Sequence, residues 1–177
     1  MIVKMSSVFD CDKGTLFAEV MKSKSFFYVS YPVVKFVPVK GHPIPKKWGN
    51  GKYLVKMKMF GMIPFPKQWI VMSVYEEDYR LCDNGYSAVI KKWCHNISLA
   101  DTEDGRVSYS DTIEIDAGVL TPFIFLYSKA FFKHRYCRWR NLVETGFHYS
   151  DLIARGGKHL VRETNTIYRL LLRWIHC

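Results

Sequence analysis

Thr121-Pro-Phe-Ile-Phe-Leu-Tyr-Ser-Lys-Ala-Phe-Phe-Lys-His-Arg-Tyr-Cys-Arg-Trp-Arg-Asn-Leu-Val143 is the stretch on which the reading of the fold turns. Thr121 suits an N-cap, where its hydroxyl can accept from orphan amides, and Pro122 suits the first helical position. Ile124, Tyr127, Phe131, Trp139 and Leu142 recur at near-helical spacing with Arg135 on the same stripe, while Lys129, Lys133 and Arg140 fall mostly elsewhere. Gly146 can end the helix as a C-cap. A long helix with one apolar side needs a broad apolar surface to lie against.

Upstream residues supply that surface. Extended segments are predicted at Val33 to Val39, Tyr53 to Phe60, Gln68 to Tyr75, Tyr79 to Cys82, Ala88 to Leu99 and Arg106 to Ile115. They are separated by Trp48-Gly-Asn-Gly, Met62-Ile-Pro-Phe-Pro, Asp83-Asn-Gly and Asp101-Thr-Glu-Asp-Gly, all read as turns. Short connections join antiparallel neighbours, because a parallel pair needs a crossover of roughly a dozen residues. Tyr53, Val55, Met57 and Met59 share one face, and Lys56 and Lys58 mark the wet one. By the same alternation Val89, Trp93, His95, Ile97 and Leu99 face inward, as do Val107, Tyr109, Asp111, Ile113 and Ile115. Before the sheet, Ile2 to Val8 reads as a first strand, Asp10 or Asp12 caps a helix from about Lys13 to Lys22, and a second short helix ends before Pro32.

The chain is long enough for one domain with a substantial core and too short for a second full domain. Five scattered cysteines without a CxxC pair point to reduced thiols in a cytoplasm, not to a disulfide framework or a zinc site. The longest apolar run, Ala117 to Tyr127, contains Pro122 and falls short of the ~20 residues a membrane span needs. A formal charge of +10 raises nucleic acid as a partner, but the positive residues are spread along the chain without a docking motif, so such binding is not expected. No GxSxG elbow, P-loop or GxGxxG is present, and no cofactor is implied.

The order strand, two helices, meander and long helix matches the helix-grip fold, an α+β architecture in which a curved antiparallel sheet of about six or seven strands wraps a long helix. The stretches Gly51-Lys-Tyr-Leu-Val-Lys-Met-Lys-Met-Phe-Gly, Gln68-Trp-Ile-Val, Trp93-Cys-His95, Tyr109-Ser-Asp111 and Phe132-Lys-His-Arg135 resemble uncharacterised members of the SRPBCC superfamily. That superfamily includes START-type lipid-transfer domains, polyketide cyclases and pollen-allergen-type carriers. The resemblance covers residues 1–143, and residues 144–177 form an extension expected to be helical and to pack on the same domain. Ile167, Leu170, Leu171 and Trp174, with Arg162, Arg169 and Arg173, make its last part a basic amphipathic helix. Three uses are open to that helix: a lid on the domain, a homodimer contact, or contact with an anionic membrane surface.

If the sheet curves around the helix, Tyr53, Val55, Met57, Trp69, Trp93, Tyr109, Ile113, Tyr127 and Phe131 could line a cavity of a few hundred cubic ångströms for a hydrophobic ligand. The same side chains could instead close-pack into a solid core. His95, Asp111 and Arg135 are costly to bury unpaired. An Arg135–Asp111 ion pair beside His95 could orient a ligand carboxylate or carbonyl, could move protons as a cyclase or dehydratase would, or could merely satisfy itself. Gln68 and Lys92 depend on a register that a one-residue slip would reverse. Cys94 with His95, and His134 with Cys137, offer two ligands each, so no metal is expected. The expected function is binding or transport of a lipid, aromatic or polyketide-like molecule.

Overall fold

The computed structural model describes residues 1–149. β1 (Ile2–Phe9) is followed by α1 (Lys13–Val20) and α2 (Ser23–Ser30). Six strands come next: β2 (Val34–Pro38), β3 (Gly51–Met59), β4 (Ile63–Tyr75), β5 (Arg80–Ser87), β6 (Lys92–Asp101) and β7 (Val107–Asp116). A 3-10 turn at Gly118–Leu120 leads into α3 (Thr121–Glu144). The strands form one sheet in the order β1-β7-β6-β5-β4-β3-β2, with every neighbouring pair antiparallel. The sheet curves around α3, which makes this an α+β helix-grip fold.

Local chemistry accounts for the element ends. Asp12 caps α1 by accepting from the Thr15 amide at 2.7 Å. Pro122 sits in the first turn of α3, where no intrahelical amide is needed. At the other end Gly146 has φ +61°, its amide donates to Val143, and the Phe147 amide donates to Leu142 at 2.6 Å. That pair of bonds is the Schellman arrangement, which needs a residue tolerant of positive φ at this point.

α3 buries Ser128, Phe131, Phe132, Arg135, Tyr136, Trp139 and Leu142 against the sheet and α2. Trp139 meets Tyr109, and Phe132 meets Trp93 and His95. Full burial of side chains such as Phe132 and Leu142, each 0% exposed, stabilises by about 1.5–3 kcal/mol apiece. Beyond the helix Tyr149 is buried against α1 and α2, where its hydroxyl meets Glu19 of α1 and, at 2.6 Å, Ser25 of α2.

Two predicted turns lie inside strands. The β3–β4 turn is Phe60-Gly61, both with positive φ, closed by a bond from the Met62 amide to Met59. That geometry matches strand twist, so Ile63 to Pro66 continue as strand. β5 pairs with β4 only from Gln68 onward. Pro64 and Pro66 therefore lie where one edge of β4 has no partner and a missing amide costs no ladder bond.

The second is Asp83-Asn-Gly, which lies in β5. The β5–β6 reversal comes after Ser87 instead, while the β4–β5 reversal is at Glu76–Tyr79, where the predicted segments break, with Tyr79 at φ +49°. Gly85 is required by proximity: a Cβ there would lie 2.6 Å from the Trp69 carbonyl and 2.8 Å from Gln68 Nε2.

Cys11, Cys82 and Cys94 are free thiols. The expected basic amphipathic helix, with its lid, dimer and membrane readings, lies outside the described residues. No helix among the described residues is long and apolar enough to cross a membrane.

Candidate functional site

Between the concave face of the sheet and α3 a cavity of about 80 Å³ remains. It is smaller than the few hundred cubic ångströms expected, although about 10–15 Å³ of such space suffices for a water, so it exceeds a packing defect. β2, β3 and β4 supply Phe36, Met57 and Phe65, β6 supplies Trp93, and α3 supplies Ile124 and Phe131, giving apolar walls. Gln68, Asp83, His95 and Arg135 are polar members of the lining. A second space of about 30 Å³ shares Phe26, Asp83, His95 and Arg135 with the first, so these polar side chains stand at the boundary between two chambers.

A β-bulge decides which residues enter. Val55 pairs with Gln68 but Met57 pairs with Phe65, so β4 spends three residues where β3 spends two. The extra residue bends the ladder and lets Phe65 and Gln68 both point inward. Trp69 is thereby on the outer face, stacked on Tyr86 with centroids 6.4 Å apart and edge-on to His42. It corrects the expected lining, and Gln68 takes that role.

His95 Nε2 and Asp111 Oδ1 are 2.6 Å apart, with both residues buried. Burial lowers the His95 pKa against the opposing pull of Asp111. The imidazole is then neutral, and the hydrogen bond assigns its proton to Nε2, donating to the carboxylate. The Tyr109 hydroxyl also donates to Asp111 Oδ1, at 3.4 Å, while Asp111 Oδ2 has no partner. Burial pushes the Tyr109 phenol well above its ordinary value, so it remains a donor.

The expected Arg135–Asp111 ion pair is not formed. Arg135 Nη2 instead donates to the Tyr109 hydroxyl at 3.5 Å, which places the phenol between guanidinium and carboxylate. His95, on the adjacent strand, takes Asp111 Oδ1, and the guanidinium reaches the carboxylate only through the Tyr109 hydroxyl, leaving Oδ2 unpartnered. The guanidinium lies 4.8 Å from the centroid of Phe132 and 5.9 Å from that of Phe131. Aromatic faces favour a nearby cation without neutralising it.

Asp83 belongs to this cluster although the sequence placed it in a turn. It is cross-strand from His95, and its Oδ1 accepts from the Val71 amide at 2.8 Å. Burial pushes its carboxyl pKa up to about 7, opposed by that bond. An acid inside a β-segment flanked by Leu81 and Gly85 was the available signal. The Asp-Asn-Gly turn pattern outweighed it.

Of the other expected residues, Met57, Trp93, Tyr127 and Phe131 line the cavity with His95 and Arg135. Val55, Tyr109 and Ile113 are 0% exposed and close-packed in the core, and Tyr53 packs on Trp48 with its hydroxyl donating to Gly49. Asp111 acts on the cavity only through His95 and Tyr109. Lys92 points outward to Glu114 at 2.7 Å. His134 Nε2 meets the Tyr31 carbonyl at 3.1 Å and anchors α3. No group of three or more His, Cys, Asp or Glu among the described residues could hold a metal ion.

A curved antiparallel sheet closed by a C-terminal helix over an apolar cavity defines the SRPBCC class of fold, and solved structures of that class superimpose on this chain. Protein CV1439 from Chromobacterium violaceum matches with a TM-score of 0.62 at 10% identity, covering 81% of this chain and 98% of its own. A START superfamily protein from Mycobacterium smegmatis gives 0.55 at 9%, covering 81% and 97%. The ZhuI aromatase/cyclase from Streptomyces sp. R1128 gives 0.59 at 7%, covering 85% and 97%. Likeness at such identity establishes the fold alone. The chain belongs to the family described as "Domain of unknown function (DUF8410)", whose model matches residues 31–143. No curated protein matches it.

Proposed function

We propose that this protein binds and carries a hydrophobic small molecule, aromatic, polyketide-like or lipid-like, in the cavity between sheet and α3. One observation carries the reading: a partly open space with walls of Met57, Trp93, Ile124 and Phe131 borders a buried cluster of polar side chains. Apolar burial at about 25 cal/mol per Å² supplies affinity in such a site, and convergent polar groups supply orientation. Native mass spectrometry of protein purified without refolding should reveal a discrete added mass. Ile124 is only partly buried, so Ile124→Trp should fill the outer part of the space and abolish that mass with the circular dichroism spectrum unchanged. A ligand retained at full occupancy in the variant counts against the cavity.

A second reading, an enzyme of cyclase or dehydratase type, draws on the short His95–Asp111 hydrogen bond at the cavity wall. With its Nε2 proton held by Asp111, neutral His95 keeps Nδ1 as a base. Proton transfer there requires the substrate to reach that nitrogen.

A further inference from the structure

Arg135 is 5% exposed and lines both chambers, yet its Nε has no hydrogen-bond partner. Its one hydrogen bond, to Tyr109, is at the 3.5 Å limit. None of the ion pairs among the described residues includes it. His95 takes Asp111 Oδ1, Asp111 Oδ2 is itself unpartnered and makes no bond to Arg135, and Asp83 is bonded to the Val71 amide, with burial favouring its uncharged carboxyl. A guanidinium presents five donors in a planar fork, and burying it without an acceptor is costly. The group whose geometry matches that fork is a carboxylate, which two parallel N–H donors engage together.

We propose that the molecule held in this cavity is a small monocarboxylic acid, its carboxylate received by the guanidinium of Arg135 and its apolar body set among Trp93, Phe131 and Met57. The inference rests on the ligand-binding reading above and names the class of ligand. A cavity of about 80 Å³ is too small for a long acyl chain, and a single ring enters it only with some movement of the walls, since benzene fills an engineered cavity of about 150 Å³. Apolar walls favour a hydrocarbon body, and the unpaired Nε favours the anionic head over a neutral carbonyl. The carboxylate of a free short acid and the head of a fatty acid share this chemistry, and length separates them.

Isothermal titration of the full chain with phenylacetate, its neutral counterpart phenylacetamide, and laurate tests the assignment. In the unaltered protein phenylacetate should bind about tenfold or more tighter than the amide, as expected for a charge-assisted pair in a buried site. In Arg135→Gln that advantage should vanish while amide affinity stays within about twofold. Arg135→Lys keeps the charge without the fork and should lose part of the advantage. Equal affinities for acid and amide in the unaltered protein overturn the inference even if Arg135→Gln does not fold, as does an acid preference that survives that substitution. Laurate binding without phenylacetate binding overturns the small-acid assignment. Amide and acid binding alike sinks only this inference. No binding of any of the three, with no mass adduct in the native protein, sinks the ligand-binding reading as well.

Discussion

Asp83 makes stability depend on pH in a direction opposite to that of most carboxylates, and Asp83→Asn isolates the effect. Burial holds the folded-state pKa at about 7 against an ordinary 3.8. The folded protein therefore keeps a proton that the unfolded chain gives up. Stability from this group is complete below about pH 4 and is lost as pH rises through about 7. A shift of about three units at about 1.4 kcal/mol each corresponds to roughly 4 kcal/mol, of which about 2–3 kcal/mol is lost between pH 5 and 8. His95 and His134 act oppositely: their pKa values are lowered by burial, so their contribution is lost as pH falls below about 6.5. The difference between unaltered protein and variant removes those contributions. Asparagine keeps an Oδ1 acceptor for the Val71 amide but has no proton to lose. Urea denaturation followed by tryptophan fluorescence should show the variant gaining about 2–3 kcal/mol relative to the unaltered protein between pH 5 and 8. A constant offset across that range would refute the assignment of Asp83 as an acid that the fold keeps protonated.

Two further outcomes test the geometry. Trp93→Ala should weaken binding of the cavity ligand by about tenfold or more, whereas Trp69→Ala should leave it within about twofold, because only Trp93 is on the inner face; equal losses in titrations would contradict the bulge-determined register. Gly85→Ala should destabilise by about 1–3 kcal/mol by thermal or urea melting, since the new methyl meets backbone oxygen 2.6 Å away; an unchanged midpoint would show that β4 and β5 approach less closely.

The residues that declared themselves in sequence carry strong periodic signals. The α3 stripe, the alternation of Tyr53 to Met59, and that of Val107 to Ile115 each repeat an apolar choice often enough to specify a face. His95 and Arg135 were visible as polar interruptions of such patterns. Gln68 and Asp83 were obscured because each sits beside a local irregularity. A one-residue bulge reverses every face beyond it, and an Asp-Asn-Gly sequence signals a tight turn whenever no second strand is known to press on the glycine.

By itself the amino-acid sequence determined the element order, the helix-grip α+β class and the inward placement of His95, Asp111 and Arg135, because periodicity and turn chemistry act over a few residues. Only the tertiary structure decided that Asp111 engages His95 instead of Arg135, that Trp69 leaves the cavity while Gln68 and Asp83 enter it, and that the space is small. Those outcomes depend on how β6 and α3 sit relative to the Asp111 carboxylate on β7 and on how sharply the sheet bends. Both are set by contacts between residues far apart along the chain.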